Sequence, residues 1–228
     1  MNKRLVSAAL SAAGLVLAVA PGASAAPAAG TTNARSCEGV TLSGSLPVPP
    51  AGLAVQQTVT IGEDCKPQEG PVTYVPATTT PVAKSVKAAA AAGATTGKRQ
   101  ISSWNQMFDC CNIRMTGLYT TSDWNTADGR VTSATTVARQ EFNREPWDAG
   151  WSVKSATSSD DCTTDCAVVN SQAHADFGYK GIFDVTGGWY GNTHHTYLTL
   201  NPDLTSSCTF DVQLKHTFIG WNWQHGCQ

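Results

Sequence analysis

The chain has 228 residues, with 15 Lys and Arg against 17 Asp and Glu, a formal net charge of −2 and a charged fraction of only 14%. A nucleic-acid binder needs a basic excess to neutralise phosphates, so nucleic acid is excluded as the expected partner. An even count of 8 cysteines asks first in which redox compartment the protein works.

The N-terminus answers. Lys3 and Arg4 precede an apolar run from Leu5 to Ala20, and Ala23-Ser24-Ala25 follows as an A-x-A site. This three-part pattern is that of a secretory signal peptide over residues 1–25. No later apolar run is long enough to span a bilayer, so the expected product is a soluble extracellular protein with no membrane span after cleavage. Removal of the leader leaves 13 basic and 17 acidic residues, a charge of about −4. The residue usage is that of a small exported bacterial protein.

All the cysteines (Cys37, Cys65, Cys110, Cys111, Cys162, Cys166, Cys208 and Cys227) lie beyond the leader. In an oxidising compartment they predict four disulfides. C-x2-C zinc spacing is absent, and neither a metal nor a cofactor is expected. The acids and bases are unevenly placed: residues 104–228 carry 13 acidic and 7 basic side chains, whereas residues 76–103 carry Lys84, Lys87, Lys98 and Arg99 and no acid.

Residues 26–75 read as a small β-rich segment. Leu53 to Gly62 alternates and is rich in Val and Thr, Val72 to Val75 repeats the pattern, and turn residues separate them. About 40 residues bury little core, so a Cys37–Cys65 staple is expected. Residues 76–100 (Pro76 to Gln100) are Ala-, Thr- and Pro-rich and hold no aromatic residue, which predicts a flexible linker. Lys98-Arg99 at its end would suit proteolytic processing, with residues 26–99 as a pro-segment.

Residues 101–228 form the expected main domain. Asn112 to Thr121, Trp151 to Ala156 and Val168 to Tyr179 read as strands. His194 to Leu200 and Ser207 to His216 read as a hairpin around Asn201-Pro202-Asp203-Leu204-Thr205-Ser206. Val131 to Asn143 is ambiguous between a helical stripe and a strand. Asp123 to Gly129 resembles a calcium loop only in part, and an Asp-Gly turn explains it without an ion. The expected fold is mainly β: an antiparallel β-sandwich or partly closed barrel, disulfide-stabilised, preceded by the small β-rich segment and the linker.

The stretch GGWYGNTHHTYLTL (187–200) carries adjacent histidines. On a strand His194 and His195 leave opposite faces and cannot share an ion, whereas His174 and Asp176, at i and i+2, share one. Catalytic candidates are therefore His174, Asp176, His194 and His216. With Asp203 and Leu204 at the hairpin tip, opposite residue numbers sum to about 407. His195, Tyr197, Cys208, Phe210 and Val212 then face inward, and His194 and Thr196 outward beside Asp211 and Gln213; a slip of one exchanges the faces. No G-x-S-x-G elbow or spaced carboxylate pair marks a hydrolase.

Trp221 and Trp223, at i and i+2, and Tyr190 are the candidate ligand-binding residues, since exposed rings make platforms for sugars. The favoured function is a non-catalytic extracellular binding or interaction module whose partner is a glycan, other cell-surface material, or another secreted or surface protein. The alternatives are a small hydrolase or metal-dependent enzyme using the His/Asp cluster, and a secreted protease inhibitor or toxin.

Overall fold

A computed structural model describes residues 36–77, 96–144, 150–182 and 184–228. The leader expected over residues 1–25, linker residues 78–95, and Glu145 and Trp147 lie outside these. The described residues build two antiparallel sheets and no helix, a sandwich rather than a closed barrel.

The twelve strands are β1 (Ser36–Leu46), β2 (Leu53–Ile61), β3 (Pro67–Glu69), β4 (Thr73–Pro76), β5 (Gly97–Phe108), β6 (Arg114–Ala127), β7 (Arg130–Phe142), β8 (Gly150–Asp160), β9 (Val169–Lys180), β10 (Gly191–Leu200), β11 (Ser206–Phe218) and β12 (Asn222–Cys227). One sheet runs β1-β11-β10-β9-β8. The other runs β3-β2-β12-β5-β6-β7, with β4 also paired to β2. Alternation decides what lies between them: Leu42, Leu198, Leu200, Phe210 and Val212 from the first sheet meet Ile101, Met107, Leu118, Trp124 and Trp223 from the second, all essentially without solvent exposure. Each such side chain contributes about 1.5–3 kcal/mol by leaving water.

Residues 36–76, expected as a separate segment, are shared between the sheets. β1 pairs β11 over ten residue pairs, and β2 pairs β12. The reason is apolar area: Val40, Leu42 and Leu46 of β1 and Val55, Val59 and Ile61 of β2 are buried, and a 40-residue piece has no core of its own to receive them. The dibasic pair also lies inside a strand, with Lys98 opposite Asn125 and Arg99 opposite Trp124, so β5 begins at Gly97 rather than Ile101.

Val131 to Asn143 is strand: β7 pairs β6 throughout, which suits its Val and Thr content. Between them Asp128 (φ 54°) and Gly129 (φ 73°) form a two-residue turn with both residues left-handed, the type I′ geometry an Asp-Gly pair favours. The calcium-like stretch is therefore the end of a hairpin.

Three disulfides form: Cys37–Cys65, Cys162–Cys166 and Cys208–Cys227. The first and third tie one sheet to the other. The expected fourth is absent. Cys110 and Cys111 are exposed free thiols with 3.7 Å between sulfurs; adjacent Cα atoms stand ~3.8 Å apart, closer than an ordinary disulfide spans.

Candidate functional site

The β10–β11 hairpin sets the faces, and its loop is one residue longer than a centre between Asp203 and Leu204 implies. Asn201 N–H donates to Thr205 O, Leu204 takes a left-handed φ of 66°, and the Asp203 carboxylate accepts from the Thr205 amide and hydroxyl. Leu200 therefore faces Ser206, His195 faces Asp211 and His194 faces Val212. Opposite numbers sum to 406, so the faces of β10 exchange: His194 points inward and His195 and Tyr197 outward, while Cys208, Phe210 and Val212 of β11 stay inward as expected. Leu198 and Leu200 decide the matter, because only this register puts them on the core side with Phe210 and Val212.

On the outer face of the five-stranded sheet, four side chains now form one hydrogen-bonded chain. His174 Nε2 stands 3.0 Å from Asp176 Oδ2, His174 Nδ1 2.8 Å from His195 Nε2, and His195 Nδ1 2.7 Å from Asp211 Oδ1. Ser155 and Thr193 hydroxyls donate to Asp176 at 2.5 and 2.7 Å. Burial opposes ionisation of Asp176, but the bonds from Ser155, Thr193 and His174 outweigh it and hold the carboxyl below its ordinary value. Each member of the chain is part-open to solvent.

The rows on either side are polar too. Gln172, Tyr197, Thr209 and Ser45 lie across from one another; so do Asp176, Thr193, Gln213 and Thr41. The rings of His195 and Tyr197 are nearly parallel, at 14° with centroids 6.1 Å apart, and Tyr197 remains 40% exposed. Burial and the nearby Asp211 raise the Tyr197 phenol above its ordinary pKa. A hollow of about 340 Å³ borders this lattice at Thr41, Thr193, Gln213 and Lys215.

Beneath the lattice, His194 is fully buried between the sheets. Its Nε2 is 2.9 Å from Thr116 Oγ1 and its Nδ1 3.0 Å from Asn105 Oδ1, which also accepts from Trp223 Nε1 at 2.7 Å. Asn192 Nδ2 donates to Thr116 Oγ1. An amide oxygen only accepts, so His194 carries its proton on Nδ1 and takes the Thr116 hydroxyl proton at Nε2. Burial, aided by the charges of His195 and His174, pushes its pKa down to about 3 against the bond to Asn105. Asn105 Nδ2 in turn donates to the backbone oxygens of His195 and Asp211, at 2.9 and 3.2 Å. The core network thus holds the backbone of two outer-face residues.

Of the four sequence-derived catalytic candidates, His174 and Asp176 come together as expected. His194 lies on the other side of the sheet. His216 is buried against the Trp189 ring, with 3.8 Å between centroids. The ligand-binding candidates are buried as well: Trp223 is wholly enclosed, Tyr190 is 6% and Trp221 7% exposed. None offers a free ring face. Sequence reasoning missed His195, Asp211 and Tyr197 as partners, and the signal that would have found them was the burial required of Leu198 and Leu200. Among the described residues, no group of three or more His, Cys, Asp and Glu side chains is placed to hold a metal ion. No family model, no curated protein and no solved structure matches the chain.

Proposed function

We propose that the protein is an extracellular, non-catalytic binding module that seats a glycan on the outer face of the five-stranded sheet. The observation that carries this is the half-exposed Tyr197 ring, parallel to His195 and set in a lattice of fixed donors and acceptors from Gln172, His174, Asp176, Asp211 and Gln213. A sugar ring offers an apolar face for an aromatic side chain and an edge of hydroxyls for carboxylates and amides. Cross-strand hydrogen bonds hold several of these groups in place before a ligand arrives, which lowers the ordering entropy of binding. The cysteines agree with an oxidising milieu: three disulfides form and two of them bind sheet to sheet.

Retention on insoluble polysaccharides and on a glycan array tests the proposal. Tyr197→Ala and Gln172→Ala, both on the solvent side of the sheet, are expected to lower retention; for Tyr197→Ala the loss is about two- to tenfold, since one aromatic contact is worth ~0.5–1.5 kcal/mol. Their melting temperatures should stay near that of the parent. Unchanged retention in Tyr197→Ala would end this reading.

A second reading, hydrolysis, is favoured by one observation: the imidazole pair between two carboxylates is equipped to pass a proton. Release of reducing ends from the retained polysaccharide, lost in His195→Gln, would support it over simple binding.

A further inference from the structure

The turn between β9 and β10 presents its apolar side chains to water. Ile182 is 79%, Val185 72% and Trp189 44% exposed. This is not a slack loop. Asp184 lies buried at its centre and takes five hydrogen bonds: from the amides of Thr186 and Gly187 and the Thr186 hydroxyl on one oxygen, and from the amides of Trp189 and Tyr190 on the other. Burial alone would raise this carboxyl; the Thr186 hydroxyl and the Tyr190, Trp189 and Gly187 amides instead hold it at about 2. The aspartate therefore fixes residues 184–190 with Val185 and Trp189 pointing out, the reverse of what burial of apolar surface favours unless something receives them.

Cations surround the turn. Lys215 Nζ donates to Gly188 O. Lys154 is the extra residue where the β8–β9 register shifts between Val153 and Ser155, and this bulge aims its side chain across Gly178 toward the turn. Gly178 is needed for that path, since a Cβ there would stand 2.5 Å from Lys154 Cε. Lys180 ends β9 with its Cβ within 3.4 Å of where a Cβ on Gly187 would lie. All three lysines are exposed. They are three of the seven basic residues in 104–228, a region with 13 acids. Besides the caged Asp184, Glu38 stands 3.8 Å from His216 behind Trp189, and Asp176 accepts from Ser155 next to Lys154.

We propose that this turn docks on an anionic lipid surface, with Ile182, Val185 and Trp189 entering the headgroup region and Lys154, Lys180 and Lys215 meeting lipid phosphates. Indole rings prefer the membrane–water interface, and lysine stems reach along apolar surface while their ammonium groups stay in water. A row of short apolar prongs inside a cationic collar fits that boundary. This proposal uses none of Tyr197, Gln172 or the His/Asp chain; Lys215, which also borders the hollow beside that lattice, is the residue the two share.

Vesicle flotation of the full chain tests it, comparing phosphatidylcholine vesicles with vesicles containing 30% phosphatidylglycerol at low and high salt. Three lysines near such a surface predict on the order of a hundredfold preference for the anionic vesicles, lost at high salt. Ile182→Asp with Val185→Asp changes only exposed positions and should lower flotation at least tenfold with an unchanged melting temperature. Lys154→Glu with Lys215→Glu should abolish the preference for anionic lipid. The leader is present in every sample, so the reading is the difference between variants. Equal flotation of the parent and the double-Asp variant overturns the proposal. So does failure of the parent to float with anionic vesicles, even if the double-Asp change impairs binding to a protein or glycan. Retention of Tyr197→Ala on polysaccharide reports on the glycan site separately.

Discussion

His174 Nδ1 and His195 Nε2 face each other at 2.8 Å, and the remaining ring nitrogen of each faces a carboxylate. The two carboxylates can accept hydrogen bonds from those outer nitrogens. The four groups thus form one continuous polar row across β9, β10 and β11.

Stability should fall with acidification in two steps. Burial holds His194 at about 3 and His225 at about 4, both below the ordinary histidine value of 6.5. A histidine whose folded pKa is depressed stabilises the fold fully above 6.5, and that contribution is lost as pH falls toward the folded value, because the unfolded chain binds the proton first. Each group gives a slope of up to about 1.4 kcal/mol per pH unit. The first loss therefore runs from pH 6.5 down to about 4 for both groups, and His194 continues to about 3. Asp184, held at about 2, acts in a lower window: its contribution is complete above the ordinary aspartate value near 3.8 and disappears toward pH 2. Urea midpoints at pH 7, 5.5, 4.5 and 3 check this order; a midpoint constant from pH 7 to 4.5 would contradict the histidine part.

Asn105 should be the most sensitive polar residue of the core. Asn105→Ala strands the Trp223 indole N–H and His194 Nδ1–H and removes the donor to the His195 and Asp211 oxygens. At ~1–3 kcal/mol per buried group left without a partner, the total cost is on the order of 3–5 kcal/mol in denaturant unfolding. His174 and His195 NMR signals should also shift, because the lost amide holds the backbone beneath them.

Alkylation of the native protein should label Cys110 and Cys111 alone, giving two thiols per chain rather than none. Cys208→Ala with Cys227→Ala should cost about 3 kcal/mol, the value for a link closing 19 residues, and should lower the melting temperature without changing the two-thiol count. Eight free thiols in the untreated native chain would refute the disulfide assignment.

Much of the fold was written locally. The β-rich runs at Leu53 to Gly62, Val168 to Tyr179 and the His194–His216 hairpin are strands because alternating apolar and polar residues suit a pleat with one buried face. The Cys37–Cys65 link follows from two cysteines flanking those first strands, and the Asp128-Gly129 turn from the one dipeptide suited to it. The placement of His174 and Asp176 side by side needed only the two-residue period of a strand.

What tertiary structure alone decided is which face meets the core and which strands become neighbours. Register depends on one residue of loop length, and Leu204 in a left-handed conformation moved His195 outward to Asp211 and His194 inward to Asn105. β1 and β2 join distant strands because β11 and β12 offer them apolar surface and open hydrogen-bonding edges, a pairing that no window of sequence contains. Trp221 and Trp223 are buried for the same reason: an indole's exposure depends on what packs over it, and in this chain the opposite sheet does.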